Sequence, residues 1–269
     1  MITGGSRGIG LGTAHALAAA GHTVVLAARA PEPLAAAVEA ITAAGGHAEA
    51  LVMDVTDDAS VEAAMKRLLA GGPCDIVVNN AGSCDQAAFL AQSNATRRAE
   101  MEINYWGAVR VTRALLPTMI DRREGVVVNV SSLLGSIAAP TTANYSATKA
   151  ALDAWSLALR AEVAGFGVHV TVFVAPHTDT EMGRRVKFDG VVSLPVDYTA
   201  KELVRAIERA PRKYTASPVY RLILLLARLF PAFMEGRVGA GAMAHLERPA
   251  RRARRPEQGP EESKGSANP

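Results

Sequence analysis

The chain carries Tyr145-Ser146-Ala147-Thr148-Lys149, a phenol and an ammonium four residues apart, which a helix would bring to one face. A tyrosine hydroxyl with a pKa of about 10 is a poor acid or base at neutral pH, and a neighbouring ammonium favours its phenolate and draws that pKa toward a useful value. Thirteen residues before Tyr145, Ser132 closes the run Val126-Val127-Val128-Asn129-Val130-Ser131-Ser132. Its hydroxyl is therefore expected at the carboxyl edge of a sheet, where open α/β folds bind ligands, and where it would polarise a carbonyl. Ser131 is the alternative hydroxyl; the spacing to Tyr145 favours Ser132.

A second constellation lies at the start of the chain. Thr3-Gly4-Gly5-Ser6-Arg7-Gly8-Ile9-Gly10 spaces Gly4, Gly8 and Gly10 as G-x-x-x-G-x-G between a short apolar segment and a helical pattern. Glycines in such a turn let the backbone come close to a pyrophosphate held at a helix N-terminus. Eighteen residues past Gly10, where a dinucleotide-binding βαβ unit selective for NAD usually has an Asp or Glu on the ribose 2′-hydroxyl, the chain has Ala28 followed by Arg29. An acid there would repel a 2′-phosphate. Arg29, with Arg7 of the glycine loop, offers it charge-assisted hydrogen bonds instead, so NADP(H) is the cofactor expected.

The elements that must position these residues alternate along the chain. Strands are predicted at His22 to Ala27, His47 to Met53, Asp75 to Val78, Gly125 to Val130 and Val168 to Val174, with helices at Ile9 to Ala20, Pro33 to Ala44, Ser60 to Leu69, Ala95 to Arg122 and Asn144 to Gly165. Nearly continuous apolar strands between Ala- and Leu-rich helices predict a doubly wound parallel sheet, the Rossmann fold of the α/β class. Residues 1–210 would form this domain. Only Met1-Ile2-Thr3 precede the first glycine, short for a strand of about 5 to 6 residues, which suggests a first strand truncated by a start site placed too late. After Pro211 the alternation stops. Residues 211–247 are expected to hold an apolar helix at Pro218 to Met234, broken or kinked by Pro231, and residues 248–269 a disordered tail.

The whole set resembles the classical short-chain dehydrogenase/reductase family. The resemblance rests on TGxxxGxG at Thr3 to Gly10, an acid at Asp54-Val55, NNAG at Asn79 to Gly82, Asn104, Ser132 and YxxxK at Tyr145 to Lys149, in the family's order. It implies that Thr3, Gly4, Ser6, Arg7, Gly8, Ile9 and Gly10 cradle the cofactor, with Arg29 at its 2′-phosphate. Asp54 would bind the adenine amino group with Val55 beside it, and Asn80, Ala81 and Gly82 would line the cofactor. Tyr145 would donate a proton, Lys149 would bind the nicotinamide ribose and lower the tyrosine pKa, Ser132 would orient the carbonyl, and Asn104 would hold a water in the proton relay. Pro176 and Thr180 would meet the nicotinamide, and the segment from Glu181 to Val196 would form a mobile substrate loop. Read without the family, Asp54 is also a turn residue or helix cap, and Asn104 a buried amide satisfied by backbone.

Two departures stand out. His177 replaces the family's usual Gly and is read as a loop residue, neither base nor metal ligand, and no metal site is expected. The family's final strand is expected to be missing, with Lys213 through Met234 in its place. Thr178-Asp179-Thr180 is similar to a segment of 3-ketosphingoid base reductases. The implied activity is reversible NADPH-dependent reduction of a ketone or aldehyde, on a hydrophobic substrate such as a long-chain or polycyclic ketone. The other class of protein this fold allows is a non-enzymatic NADP-binding regulatory module.

Charge and cysteine content bound the remaining options. The net charge of +3 comes from the last 22 residues, where five Arg and one Lys face three Glu, so residues 1–247 are neutral. That tail lacks interleaved aromatics, which argues against nucleic acid. Two cysteines give no disulfide framework, and no signal peptide or spanning segment is visible, so a cytoplasmic protein is expected. A homodimer or homotetramer is expected, and residues 218–255, with their arginines, are a candidate peripheral membrane contact.

Overall fold

The computed structural model describes residues 1–188, 191–234, 236, 237 and 239. The expected disordered tail at 248–269, its arginine cluster and the end of the 211–247 extension lie outside these residues. Seven parallel strands form one sheet in the order β3-β2-β1-β4-β5-β6-β7. They are β1 (Ile2–Thr3), β2 (Thr23–Ala28), β3 (His47–Val52), β4 (Ile76–Asn79), β5 (Gly125–Ser132), β6 (Val168–Ala175) and β7 (Lys213–Thr215). The helices are α1 (Gly8–Ala19), α2 (Pro31–Ala43), α3 (Asp58–Ala70), α4 (Asn94–Met101), α5 (Gly107–Arg122), α6 (Ala143–Val163), α7 (Glu181–Arg185), α8 (Val196–Arg209) and α9 (Pro218–Leu229).

Apolar side chains on both faces of the sheet build a three-layer sandwich, as the continuous apolar strands predict. On one face Ala14 and Leu17 of α1, Leu34 and Ile41 of α2 and Leu203 of α8 bury against Ile2, Leu26 and Phe173. On the other, Val61 of α3, Val111 and Leu115 of α5 and Leu159 of α6 bury against Leu51, Val77 and Val127. The strand order reverses direction at β1 and β4, and the carboxyl ends of these two strands open the crevice that holds the glycine loop.

Three expectations need correction. The long helix predicted from Ala95 to Arg122 is two helices joined by a π turn at Glu102–Trp106. The extra residue of a π turn rotates the helix beyond it and turns Asn104 into the interior, where it is almost fully buried. The final strand is present: β7 pairs with β6 through Lys213 to Thr215, and Tyr214 stacks on Phe173. At three residues it is too short to leave a periodic signal in the sequence. The segment 181–196, expected as a substrate loop, contains α7 and rejoins the body at the Thr178–Leu194 bridge. The apolar helix expected from Pro218 to Met234 is broken at the expected place: α9 ends at Leu229, and Pro231 to Met234 are helical again after the bend at Phe230. β1 has two residues, with Ile2 opposite both Leu26 and Val78.

Candidate active site

β5 delivers Ser132 at its last residue, and the first turns of α6 deliver Tyr145 and Lys149. Ser132 lies close enough to Tyr145 to favour its phenolate, and the Ser132 oxygen accepts the Leu134 N–H at 3.2 Å. Ser131, pointing to the other face of the strand as alternation requires, is buried with no partner for its hydroxyl. Of the two serines, Ser132 is the one on the side of Tyr145. Lys149 Nζ donates to the Val130 carbonyl at 2.9 Å and lies 5.7 Å from the Tyr145 ring centre.

Burial dominates the electrostatics of this pair. It pushes the Tyr145 hydroxyl well above the ordinary tyrosine range, with Cys84 and Glu100 adding to the rise and Ser132 opposing it. It also lowers Lys149 from 10.5 to about 8, against the pull of Asp153 and Cys84. Desolvation, and not the expected lowering by the ammonium, sets the direction for Tyr145. Tyr145 is held as the neutral acid, and Lys149 is poised to exchange a proton near neutral pH.

Asn104 is committed to its neighbours. Its Oδ1 accepts the Ser83 N–H at 2.8 Å, and its Nδ2 donates to the Ser83 carbonyl at 2.9 Å and to Thr148 Oγ1 at 3.0 Å. The side chain braces the loop after β4 against α6, leaving one lone pair of Oδ1 for the water expected there. One turn earlier Glu100, which no sequence motif marks, does the same. It is buried, accepts Asp85 N–H at 2.6 Å and Asn144 Nδ2 at 2.5 Å, and so ties the loop carrying Cys84 to the residue beside Tyr145. Burial, with Glu100 adding, pushes the Cys84 thiol up to about 12, so a neutral thiol faces the pair.

The residues expected to hold a dinucleotide fit one. Gly4 and Gly8 have φ of +63° and +56°, a region L side chains rarely enter. A Cβ on Gly10 would fall 2.4 Å from the Gly4 carbonyl. The N-terminus of α1 has neither a side-chain cap nor an acid in its first turn, so its N–H groups suit an anion. Thr3 Oγ1 accepts the N–H of both Asn80 and Ala81 at 3.0 Å, and Asn80 Nδ2 donates to the Thr3 and Gly4 carbonyls. These bonds fix the glycine loop to the end of β4.

Other expected contacts have local partners. Asp54 closes a turn by accepting the Thr56 N–H and hydroxyl, with its second oxygen 3.9 Å from Arg29. Val55 is core, packed against Gly107. Arg7 pairs with Glu181 of α7 at 2.5 Å rather than pointing freely at a phosphate, while Ser6 and Ile9 remain in the glycine loop and first turn of α1. Thr180 caps α7 through Gly183 N–H and touches Gly8. Pro176 ends the β6 edge, and its carbonyl accepts the Thr178 hydroxyl at 2.9 Å.

His177 is a staple. Its ring bonds Ser193 Oγ at 2.7 Å and the Val186 carbonyl at 2.9 Å, and its N–H donates to the Tyr220 hydroxyl of α9 at 3.3 Å. Gln86 joins the loops after β4, β5 and β6 by bonding Thr141 Oγ1 and the backbone of Lys187. Gln86 is flagged by no sequence motif, and His177 is flagged only as the residue in place of the family's usual Gly. Among the described residues no group of His, Cys, Asp and Glu could hold a metal.

A doubly wound sheet with a glycine-rich turn on its first helix and a Ser-Tyr-Lys set at its carboxyl edge defines a nicotinamide-dependent oxidoreductase. The family model described as short chain dehydrogenase matches residues 1–189, and the chain belongs to that family, whose members are enzymes acting on CH–OH and C=O groups. A ketoacyl reductase HetN from Nostoc sp. is 35% identical over 223 residues, 81% of this chain and 77% of the relative. A fatty acyl-CoA reductase from Acinetobacter baylyi is 36% identical over 217 residues, 79% and 74% of the two chains. A solved short-chain dehydrogenase from Streptomyces avermitilis superposes with a TM-score of 0.76 at 30% identity, over 94% of this chain and 97% of that one.

Proposed function

We propose that the protein is an NADP(H)-dependent carbonyl reductase that converts a hydrophobic ketone or aldehyde to its alcohol, reversibly. The observation that carries this reading is the convergence of the Ser132 hydroxyl, a Tyr145 held neutral, and Lys149 Nζ under the tyrosine ring. The nicotinamide, when bound, supplies the hydride. As charge builds on the carbonyl oxygen, Ser132 and Tyr145 donate hydrogen bonds to it, and Tyr145 then gives up its proton. Lys149, with a pKa of about 8, is suited to hold the nicotinamide ribose and return the proton. Asn104 and Glu100 keep Tyr145 and the loop after β4 in register.

Support for NADP(H) over NAD(H) comes from Arg29, whose exposed side chain follows Ala28, the position at the end of β2 where an acid would serve NAD. Arg7, paired with Glu181, would exchange that partner for the 2′-phosphate. Asp54 and Val55 would line the adenine pocket, and Pro176 and Thr180 would lie beside the nicotinamide. Support for a hydrophobic substrate comes from Phe89 and Leu90 after β4 and Val192 after β6. All three are well exposed on loops at the carboxyl edge of the sheet. The groove of about 580 Å³ between α5 and α6, lined by Leu116, Pro117, Ile120, Trp155 and Leu159, favours a homodimer or homotetramer built on that face. NADPH oxidation against carbonyls graded in chain length and ring number tests the reading. Turnover rising with apolar size is expected, and no turnover with any carbonyl, or preference for NADH, overturns it.

A further inference from the structure

α9 divides cleanly into two faces. Tyr220, Ile223, Leu224 and Ala227 turn toward the body, partly buried, while Val219, Leu222, Leu225 and Leu229 are each more than half exposed and Leu226 lies beside them. At 100° per residue the exposed set spans about 120° of the helix. Arg221 and Arg228 are seven residues apart and fall together on one margin of that apolar face. Arg221 is fixed there by donating to the Thr215 carbonyl at 3.1 Å and lying over the Tyr214 ring. Phe230 and Phe233, both exposed, continue the apolar surface past the end of the helix.

A monomeric soluble protein rarely exposes an apolar row of this length without a partner. Charge decides which partner. No Asp or Glu occurs from Pro218 to Met234, so pairing this face with a second copy would set arginine margins against one another with no counter-charge. The sequence beyond adds five Arg between residues 248 and 255. A row of Leu with cations at its edge, lying flat on a folded body, is the geometry of an interfacial helix. Among the described residues no helix is long and apolar enough to cross a membrane, which matches a helix that rests on a bilayer.

We propose that α9 docks the enzyme on an anionic phospholipid surface. The Val219, Leu222, Leu225, Leu226 and Leu229 face enters the headgroup–acyl boundary, with Arg221 and Arg228 at the phosphates. The Tyr220 hydroxyl accepts the N–H of His177, at the root of the loop after β6, so docking brings the lipid surface next to the substrate side of the molecule. If the carbonyl-reductase reading holds, this orients the cleft toward substrates dissolved in the bilayer; the docking itself rests only on α9.

The test is flotation of the full chain with vesicles of phosphatidylcholine alone or mixed with phosphatidylglycerol. Alongside it run Leu225→Ser/Leu229→Ser and Arg221→Gln/Arg228→Gln variants, each checked by NADPH oxidation with a water-soluble carbonyl and by size-exclusion chromatography. Binding to the anionic vesicles is expected, reduced roughly tenfold or more by either double substitution, with soluble turnover and oligomeric state unchanged. No binding, or binding equal in the Leu variant, overturns the proposal, and an oligomer that dissociates in the Leu variant assigns the face to a second copy instead. Loss of soluble turnover in wild type and variants alike would count against the reductase reading and leave the flotation result to stand.

Discussion

Replacing Lys149 by Met separates the energetic burden of the catalytic ammonium from its chemical role. Burial lowers this lysine from 10.5 to about 8, so below pH 8 the folded state holds a desolvated ammonium that the unfolded chain carries in water. With each pKa unit worth about 1.4 kcal/mol, the burden is roughly 3 kcal/mol at pH 7. The sign comes from linkage. Between pH 8 and 10.5 the unfolded state binds more protons than the folded one, so wild-type stability rises with pH across that window and the burden is gone above it. Methionine removes the burden but leaves the Val130 carbonyl, bonded at 2.9 Å in the wild type, without its donor, at a cost of about 1–2 kcal/mol. The variant should therefore be about 1–2 kcal/mol more stable at pH 7, a Tm higher by roughly 2–8 °C. The advantage should shrink and change sign by pH 10.5. Turnover should fall by about two orders of magnitude. Melts followed by circular dichroism at pH 7 and pH 10 read the effect, and a variant less stable at pH 7, or a difference independent of pH, would refute the reasoning.

Three further outcomes are expected. Arg29→Asp should shift preference from NADPH toward NADH, read as the ratio of kcat/KM for the two cofactors; an unaltered ratio would remove Arg29 from the 2′-phosphate site. Glu100→Gln should lower thermal stability by about 1–3 kcal/mol, because an amide cannot accept from both Asp85 N–H and Asn144. It should also move the rising limb of the alcohol-oxidation pH profile to lower pH, since the carboxylate helps hold Tyr145 protonated; a melt and profile equal to wild type would contradict both roles. Trp155→Asp, in the α5–α6 groove, should reduce the oligomer seen by light scattering, whereas an unchanged mass would place the interface elsewhere.

Much of this architecture was legible because its signals are local. Apolar runs such as Val126–Val130 mark buried parallel strands, the glycine spacing marks the turn before α1, and Tyr145 with Lys149 shares one helix. What was not legible depends on tertiary geometry. The π turn that buries Asn104 replaces one helical residue count by another and leaves the composition untouched. β7 is three residues long and gains its place by Tyr214 stacking on Phe173. The α8 helix did carry a signal, with Ala200, Leu203, Ala206 and Ile207 on one buried stripe after Pro195. Glu100, Gln86 and His177 act by bridging loops far apart in sequence, and a lone polar residue gives no sign of which loop it will reach. The same holds for Tyr145: the i, i+4 spacing shows the ammonium, but only packing shows the desolvation that raises the phenol.

The central claim is that Tyr145 is the proton donor of a carbonyl reductase, and it is tested most directly by single-turnover NADPH oxidation with a hydrophobic ketone in wild type and Tyr145→Phe, alongside NADPH binding by fluorescence. An alcohol product and rapid oxidation are expected in the wild type, and in the variant unchanged NADPH binding with oxidation slowed by at least about a thousandfold. A Tyr145→Phe enzyme that reduces the ketone at a rate near wild type would contradict the claim.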